Sequence, residues 1–310
     1  MTDRTLSRRT LLAGAATLPI AAGMTSGRAL AGSHAAPVQN AIQNTFALGD
    51  FQVSTLLAGT RTVEDIQTIF GTNVSAEEFA EVSAQNFIPA DKSQFFFTPT
   101  VVRTGNDVVL FDTGLNAAGT TAALEAAGVM PGDVTVVVVT HMHGDHIGGM
   151  TDDAGDLTYP NARYVTGQVE FDHWNGTDNE TFAAKVKPFA DRFEFIGDGG
   201  SVASGITGMA AFGHTPGHMV YMVESGSEQV LLMADTANHY VWSLAYPEWE
   251  VRFDADKAAA AETRKKVLGM VAADRIPLIG YHMPFPGMGY VTEEGPGTFH
   301  YVPATYQMML

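Results

Sequence analysis

The chain has 310 residues, 45% apolar and only 16% charged, which supplies a sizeable core and excludes a disordered chain. Its formal net charge of −17 repels phosphate backbones and argues against nucleic acid as a partner. There is no cysteine, so disulfides and thiolate metal ligands are excluded, and any metal must be held by imidazole and carboxylate, a set that suits zinc, manganese, iron or cobalt.

In chain order, Ser7-Arg8-Arg9-Thr10-Leu11-Leu12 opens a twin-arginine pattern, followed by a mild apolar stretch through Ala22 and a small-residue cleavage pattern at Ala29-Leu30-Ala31. Residues 1–31 are expected to be a signal peptide that sends the chain to the periplasm or beyond by the twin-arginine route, with 32–310 as a single domain. That stretch is too short and too rich in Gly and Ala for stable membrane insertion. Residues 32–50 read as an irregular lead-in and 51–58 as a first strand. Residues 60–92 read as a mixed segment, helical around 76–84, that covers part of a cleft. Residues 94–103 and 107–111 are β-rich and joined by a Gly105-Asn106 turn. An Ala-rich helix over 117–127 stops at Gly128.

The all-apolar, β-branched run 134–139 reads as a strand buried on both faces. Further strands are expected over 162–165, 208–212, 220–224, 230–233 and 277–280, with a hairpin over 291–302. Residues 168–195 read as mainly helical. The helix over 256–273 is expected to turn Lys257, Glu262, Arg264, Lys265 and Lys266 outward. Four apolar strands run straight into a polar residue: Asp112, Thr140 with His141, Asp235, and Tyr281 with His282. Strand ends on a rigid sheet are where α/β folds place ligand sites, so one site at one edge of the sheets is expected.

His141-Met142-His143-Gly144-Asp145-His146 places three imidazoles and a carboxylate within six positions. Such density after a buried strand points to divalent cations. The segment resembles the H-x-H-x-D-H signature of the metallo-β-lactamase superfamily. Its companions follow in order: Asp112 in Phe111-Asp112-Thr113-Gly114, Gly213-His214-Thr215-Pro216-Gly217-His218, Asp235 in Met233-Ala234-Asp235-Thr236, and His282. The resemblance implies a four-layer αββα sandwich of α/β class. It implies two divalent metal ions, with zinc expected: His141, His143 and His218 on one, Asp145, His146 and His282 on the other, Asp235 between them. Asp145 and Asp235 are the residues expected to take part in catalysis. Asp112 and His214 are expected to support the ligands, and Trp174, His239 and Phe285 to line a substrate pocket, with Phe171 and Trp242 as further apolar wall.

Within the superfamily, Tyr281-His282-Met283-Pro284-Phe285-Pro286-Gly287-Met288-Gly289 and Phe299-His300-Tyr301-Val302-Pro303-Ala304-Thr305-Tyr306 are similar to the methyl parathion hydrolase group. Its metal set is shared with N-acyl-homoserine lactone lactonases. The expected activity is hydrolysis of a small ester, lactone or phosphotriester by a metal-bridging hydroxide. The segment after Gly114 is short and lacks an aromatic residue, which favours lactones and carboxylic esters. A mononuclear iron oxygenase of the same fold and a metal-binding periplasmic protein without catalysis stand as alternatives, and a homodimer is an assembly the resemblance allows.

Overall fold

The computed structural model describes residues 42–295 and 297–305; the expected signal peptide and the start of the expected domain lie outside them. Seven strands form the first sheet: β1 (Gln43–Leu48), β2 (Phe51–Leu56), β5 (Thr100–Arg103), β6 (Val108–Phe111), β7 (Val136–Val139), β8 (Arg163–Gly167) and β9 (Phe193–Ile196), in that spatial order. The first three pairings are antiparallel and the last three parallel. The second sheet follows chain order: β10 (Ser201–Ala203), β11 (Ile206–Ala210), β12 (Met219–Ser225), β13 (Glu228–Ala234), β14 (Leu278–Gly280), β15 (Met288–Gly295) and β16 (Thr298–Pro303). Only its β13–β14 pairing is parallel. A separate antiparallel ribbon joins β3 (Gly59–Glu64) to β4 (Lys92–Phe97).

The layering follows from where apolar side chains fall. β7 is four consecutive valines, all fully buried; Val136 and Val138 face the second sheet, while Val137 and Val139 face the helical side. Between the sheets lie Val53, Val102, Val109 and Val165 against Tyr221, Val223, Val230 and Ile279. Helix α2 (Ala117–Ala126), α4 (Gln168–Asn175) and α5 (Glu180–Lys185) cover the first sheet, and α6 (Lys257–Asp274) covers the second. This is the expected αββα order. A fourth cluster, built on Phe70, Phe79, Phe95, Trp242 and Trp249, packs α1 (Ala76–Gln85) and the ribbon over the open end of the sandwich.

Several elements differ from the expected ones. Residues 94–103 divide into β4 and β5, in different sheets, because the chain turns at Thr98-Pro99. Strand β1 occupies part of the expected lead-in, β3 opens the mixed segment, and β9 ends the mainly helical one. Arg264 points inward and is 1% exposed. The α6 stripe of Ala260, Arg264, Val267, Leu268 and Val271 keeps helical spacing and places this cation at its centre. Among the described residues no helix is long and apolar enough to cross a membrane.

Candidate metal centre

The strand ends meet at one edge. β6 leads into Asp112, β7 into Thr140 and His141, β13 into Asp235 and β14 into Tyr281 and His282. His143 caps the one-turn helix α3 (Gly144–Ile147), which carries Asp145 and His146. Two of these ends leave ordinary backbone conformation: Asp112 has φ 61° and Ala234 φ 44°. Non-glycine residues visit this left-handed region at a cost, so the surrounding packing holds both turns in place. The loop between β11 and β12 needs its glycines. Gly213 has φ 128° with α6 backbone against it, and a Cβ on Gly217 would sit 2.1 Å from the Glu170 amide.

Three groups gather metal-competent atoms within 4.8 Å of one another: His141, His143 and His214; His141, His146 and Asp235; Asp145, His146 and His282. His143 Nδ1 lies 3.1 Å from His141 Nε2 and 3.0 Å from His214 Nε2. Asp235 stands between the trios. Its Oδ2 is 3.4 Å from His214 Nε2 and 3.2 Å from His282 Nε2, and its Oδ1 is 3.2 Å from His146 Nε2. His282 Nε2 also lies 3.3 Å from Asp145 Oδ2.

The hydrogen bonds behind the rings show what these atoms offer. His214 Nδ1 donates to Asp254 Oδ1 at 2.8 Å, which leaves Nε2 as a lone pair. Thr140 Oγ1 donates to Asp112, so it accepts from His141 Nδ1, and His141 Nε2 is likewise a lone pair. Asp112 Oδ2 accepts from His146 Nδ1 at 2.8 Å, and the Phe96 carbonyl from His282 Nδ1 at 2.8 Å. His146 Nε2 and Asp235 Oδ1 are buried without a hydrogen-bond partner. Four oriented imidazole lone pairs around a buried carboxylate fit divalent cations, and rings fixed from behind by carboxylate or carbonyl are the usual support of metal-binding histidines.

Residues 98–277 match the family model of the Metallo-beta-lactamase superfamily, more than half of the chain. The chain belongs to that superfamily. No curated protein matches it in sequence. Among solved members of similar fold, AidC, a dizinc quorum-quenching lactonase in complex with a product, superposes with a TM-score of 0.80 at 24% identity, covering 86% of this chain and 99% of its own. AbOPH, a hydrolase in the β-lactamase superfamily, superposes with a TM-score of 0.79 at 23% identity over 86% and 99%. An N-acyl homoserine lactone hydrolase, with N-hexanoyl-L-homoserine bound at its catalytic metal centre, gives 0.58 at 16% identity over 78% and 100%.

Six of the seven expected ligands stand with metal-competent atoms around Asp235 or in the grouped trios; His218 is outside those groups, although its ring lies 5.1 Å from that of His141. Its Nδ1 donates to the Ala211 carbonyl at 3.0 Å and its Nε2 accepts from the Asp235 amide at 3.1 Å, so no lone pair is left. His214, expected only as a support, brings its ring nitrogen within 4.8 Å of those of His141 and His143. Asp112 stands where expected, behind His146 and Thr140. The pocket residues fare differently. Trp174 contacts the His143 ring edge-on and donates to Glu170, but does not line the cavity over the metal-competent atoms. Phe285 lines neither neighbouring cavity, and Phe171 belongs to the core. His239 and Trp242 border a second cavity on the other side of the ribbon, with His239 Nδ1 committed to the amides of Val241 and Trp242.

Electrostatics separates the two trios. Burial pushes His141 well below its ordinary value and, together with the neighbouring His214, pushes His143 and His218 to about 3. Burial also acts to lower His146 and His282, but Asp235 and Asp145 outweigh it, holding His146 well above its usual value and His282 at about 10. Burial would raise the carboxylates; the two histidines outweigh it, keeping Asp145 at about 2 and Asp235 well below its usual value. His141 and His143 thus present neutral donors. On the other side the carboxylates of Asp145 and Asp235 are balanced by ring protons of His146 and His282 that a cation would displace.

Two supports, Glu170 and Arg264, had no motif to announce them, and a third, Tyr281, was read only as the residue before His282. Glu170, fully buried on α4, accepts from the Met142 amide, Thr215 Oγ1, the Gly217 amide and the Trp174 indole, tying both ligand loops to one carboxylate. Arg264 donates to Asp254 Oδ2 at 2.8 Å and to the carbonyls of Pro247 and Trp249, completing a chain from α6 through Asp254 to His214. Tyr281 donates to the Asp145 carbonyl.

Proposed function

We propose that the chain is a dinuclear metal-dependent hydrolase of carboxylic esters and lactones. The observation that carries this reading is the pair of three-residue groups sharing Asp235: His141, His143 and His214 on one side, Asp145, His146 and His282 on the other. Zinc is the metal inferred, in line with a dizinc lactonase of the same fold. Ions held in the two trios would acidify a water toward neutral pH and polarise the electrophilic oxygen of the substrate.

The chain's own residues do the rest. A cavity of about 480 Å³ opens onto His143, Asp145, Asp235 and His282, a volume suited to a small substrate. Phe95, Phe97, Ile69 and Val63 form its apolar wall and keep water from the reacting bond. In the overall reaction the oxygen of water joins the acyl carbon, the C–O bond to the alkoxide breaks, and a proton reaches that alkoxide. Asp145 is the more exposed of the two clustered carboxylates, faces the cavity and is held ionised, which suits it to pass that proton on. Asp235 is buried and pinned by its own amide and by Asn238, so it holds rather than shuttles.

The reading places the chain in the periplasm or outside the cell, exported on residues 1–31 by the twin-arginine route with 32–310 as one domain. The decisive experiment strips the purified protein with a chelator, reloads it with zinc, and measures metal content and turnover of an acyl lactone, an aryl ester and a phosphotriester. Two zinc ions per chain, with lactone and ester turnover lost on chelation and restored by zinc, is the expected result. One iron per chain, or a zinc-loaded protein that cleaves none of the three, would overturn it.

A further inference from the structure

Two arginines share the cavity with the metal-competent side chains. On the ribbon, alternation puts Arg61 and Val63 of β3 on the same face as Phe95 and Phe97 of β4, and all four line the cavity. Arg252 reaches it from the other side; its amide is tied to the Ile69 carbonyl at 2.8 Å and its guanidinium lies 5.1 Å from the Phe253 ring centre. Both side chains are exposed, and among the described residues no carboxylate comes within 4.0 Å of either. In a chain with 34 acidic and 17 basic residues, two unpaired guanidiniums at one cavity run against the composition. Among the described residues the acidic ones lining that cavity are Asp145 and Asp235, both engaged with His146 and His282. Two like charges facing one opening lower each other's stability until an anion enters, and guanidinium is suited to carboxylate and phosphate oxygens.

Resting on the hydrolase reading, we propose that Arg61 and Arg252 select esters or lactones carrying a second, negatively charged group remote from the scissile bond. The apolar wall of Phe95 and Phe97 lies along the same cavity, so the substrate class is an apolar or aromatic body with the cleavable bond at one end and an anion at the other.

The test compares the zinc-loaded protein on two matched pairs of chromogenic esters. In one pair the acyl chain is pentanoate or glutarate, the latter ending in a carboxylate. In the other the acetylated phenol is plain or bears a carboxylate. At low salt, kcat/KM for the anionic member of at least one pair should exceed its neutral partner about tenfold, mainly through KM, the scale of two exposed guanidinium contacts. The ratio should fall toward one in the R61Q/R252Q double variant, fall part-way in each single variant, and shrink in wild type at 0.5 M salt as screening sets in. Neutral esters cleaved without any anionic preference would sink this proposal alone, as would a preference that survives in the double variant. Failure to cleave any of the four esters would sink this proposal, and failure on an acyl lactone as well would sink the hydrolase reading with it.

Discussion

His214 and His218 carry the same imidazole on the same loop, and the hydrogen bonds of each decide what it can hold. His214 has a carboxylate behind it and an open lone pair in front; His218 has both nitrogens spent on backbone. Replacing His214 with Ala should lower bound zinc from two ions to one at micromolar free metal. His218→Gln should keep two zinc ions while lowering Tm, since it loosens the contact to the Asp235 amide but removes no member of either trio. Metal analysis beside a melting curve separates the two, and equal zinc loss in both would refute the exchange of roles. In the sequence the two histidines are equivalent by type, and the family motif favoured His218. What distinguishes them is Asp254, 40 residues away from His214 and unmarked by any pattern, so the choice between them was not legible. His141, His143, Asp145 and His146 were legible because their density has few other physical explanations. His239 bears a separate prediction. Burial lowers it to about 3, against about 6.5 in an unfolded chain. The unfolded state therefore binds the extra proton between those values, and the contribution of neutral His239 is whole above pH 6.5 and lost as pH falls toward 3. In urea titrations of the metal-free protein from pH 7 to 4, wild type should lose stability more steeply than His239→Asn.

Elements are where the strand ends become a site. The four apolar runs that stop at polar residues were readable because a strand buried on both faces tolerates no polar side chain until it leaves the sheet. β1, β9 and β10 were harder, since each is a short edge or near-edge strand with a mixed burial pattern. Arg264 was misplaced because a cation on an Ala-rich helix is ordinarily solvated, and only the Asp254 carboxylate makes its burial affordable. The junction of α4 with the two ligand loops depends on Glu170, where four donors meet one carboxylate. Glu170→Gln keeps the shape but turns part of an acceptor into a donor facing other donors. It should cost about 2–3 kcal/mol in denaturant unfolding of the metal-free protein and also weaken zinc affinity, because Met142, Thr215 and Gly217 flank His141, His143, His214 and His218. Unchanged stability and zinc affinity would show that this junction is incidental.

At the scale of the molecule, the acidic composition spoke only to partners; apolar runs stopping at polar residues pointed to one site at a sheet edge, and the αββα order was what the family resemblance implied. Folding and metal binding share one set of buried groups, so removal of metal should be felt throughout the sandwich. Chelation should lower Tm by roughly 10 °C, the shift for ligand near a thousand times its dissociation constant in a domain of this size, and added zinc should restore it. A Tm indifferent to chelator would mean that the imidazole cluster is stable unfilled.

The first sheet is built entirely from residues before 197 and the second entirely from residues after 200. His141, His143, Asp145 and His146 come from the first half; His214, Asp235 and His282 come from the second. The exposed Gly197-Asp198-Gly199 link is thus the natural place to sever the polypeptide. Neither fragment would own a whole trio, so hydrolysis would return only when both halves are mixed with zinc, and the metal would serve as the clasp that reports their reunion.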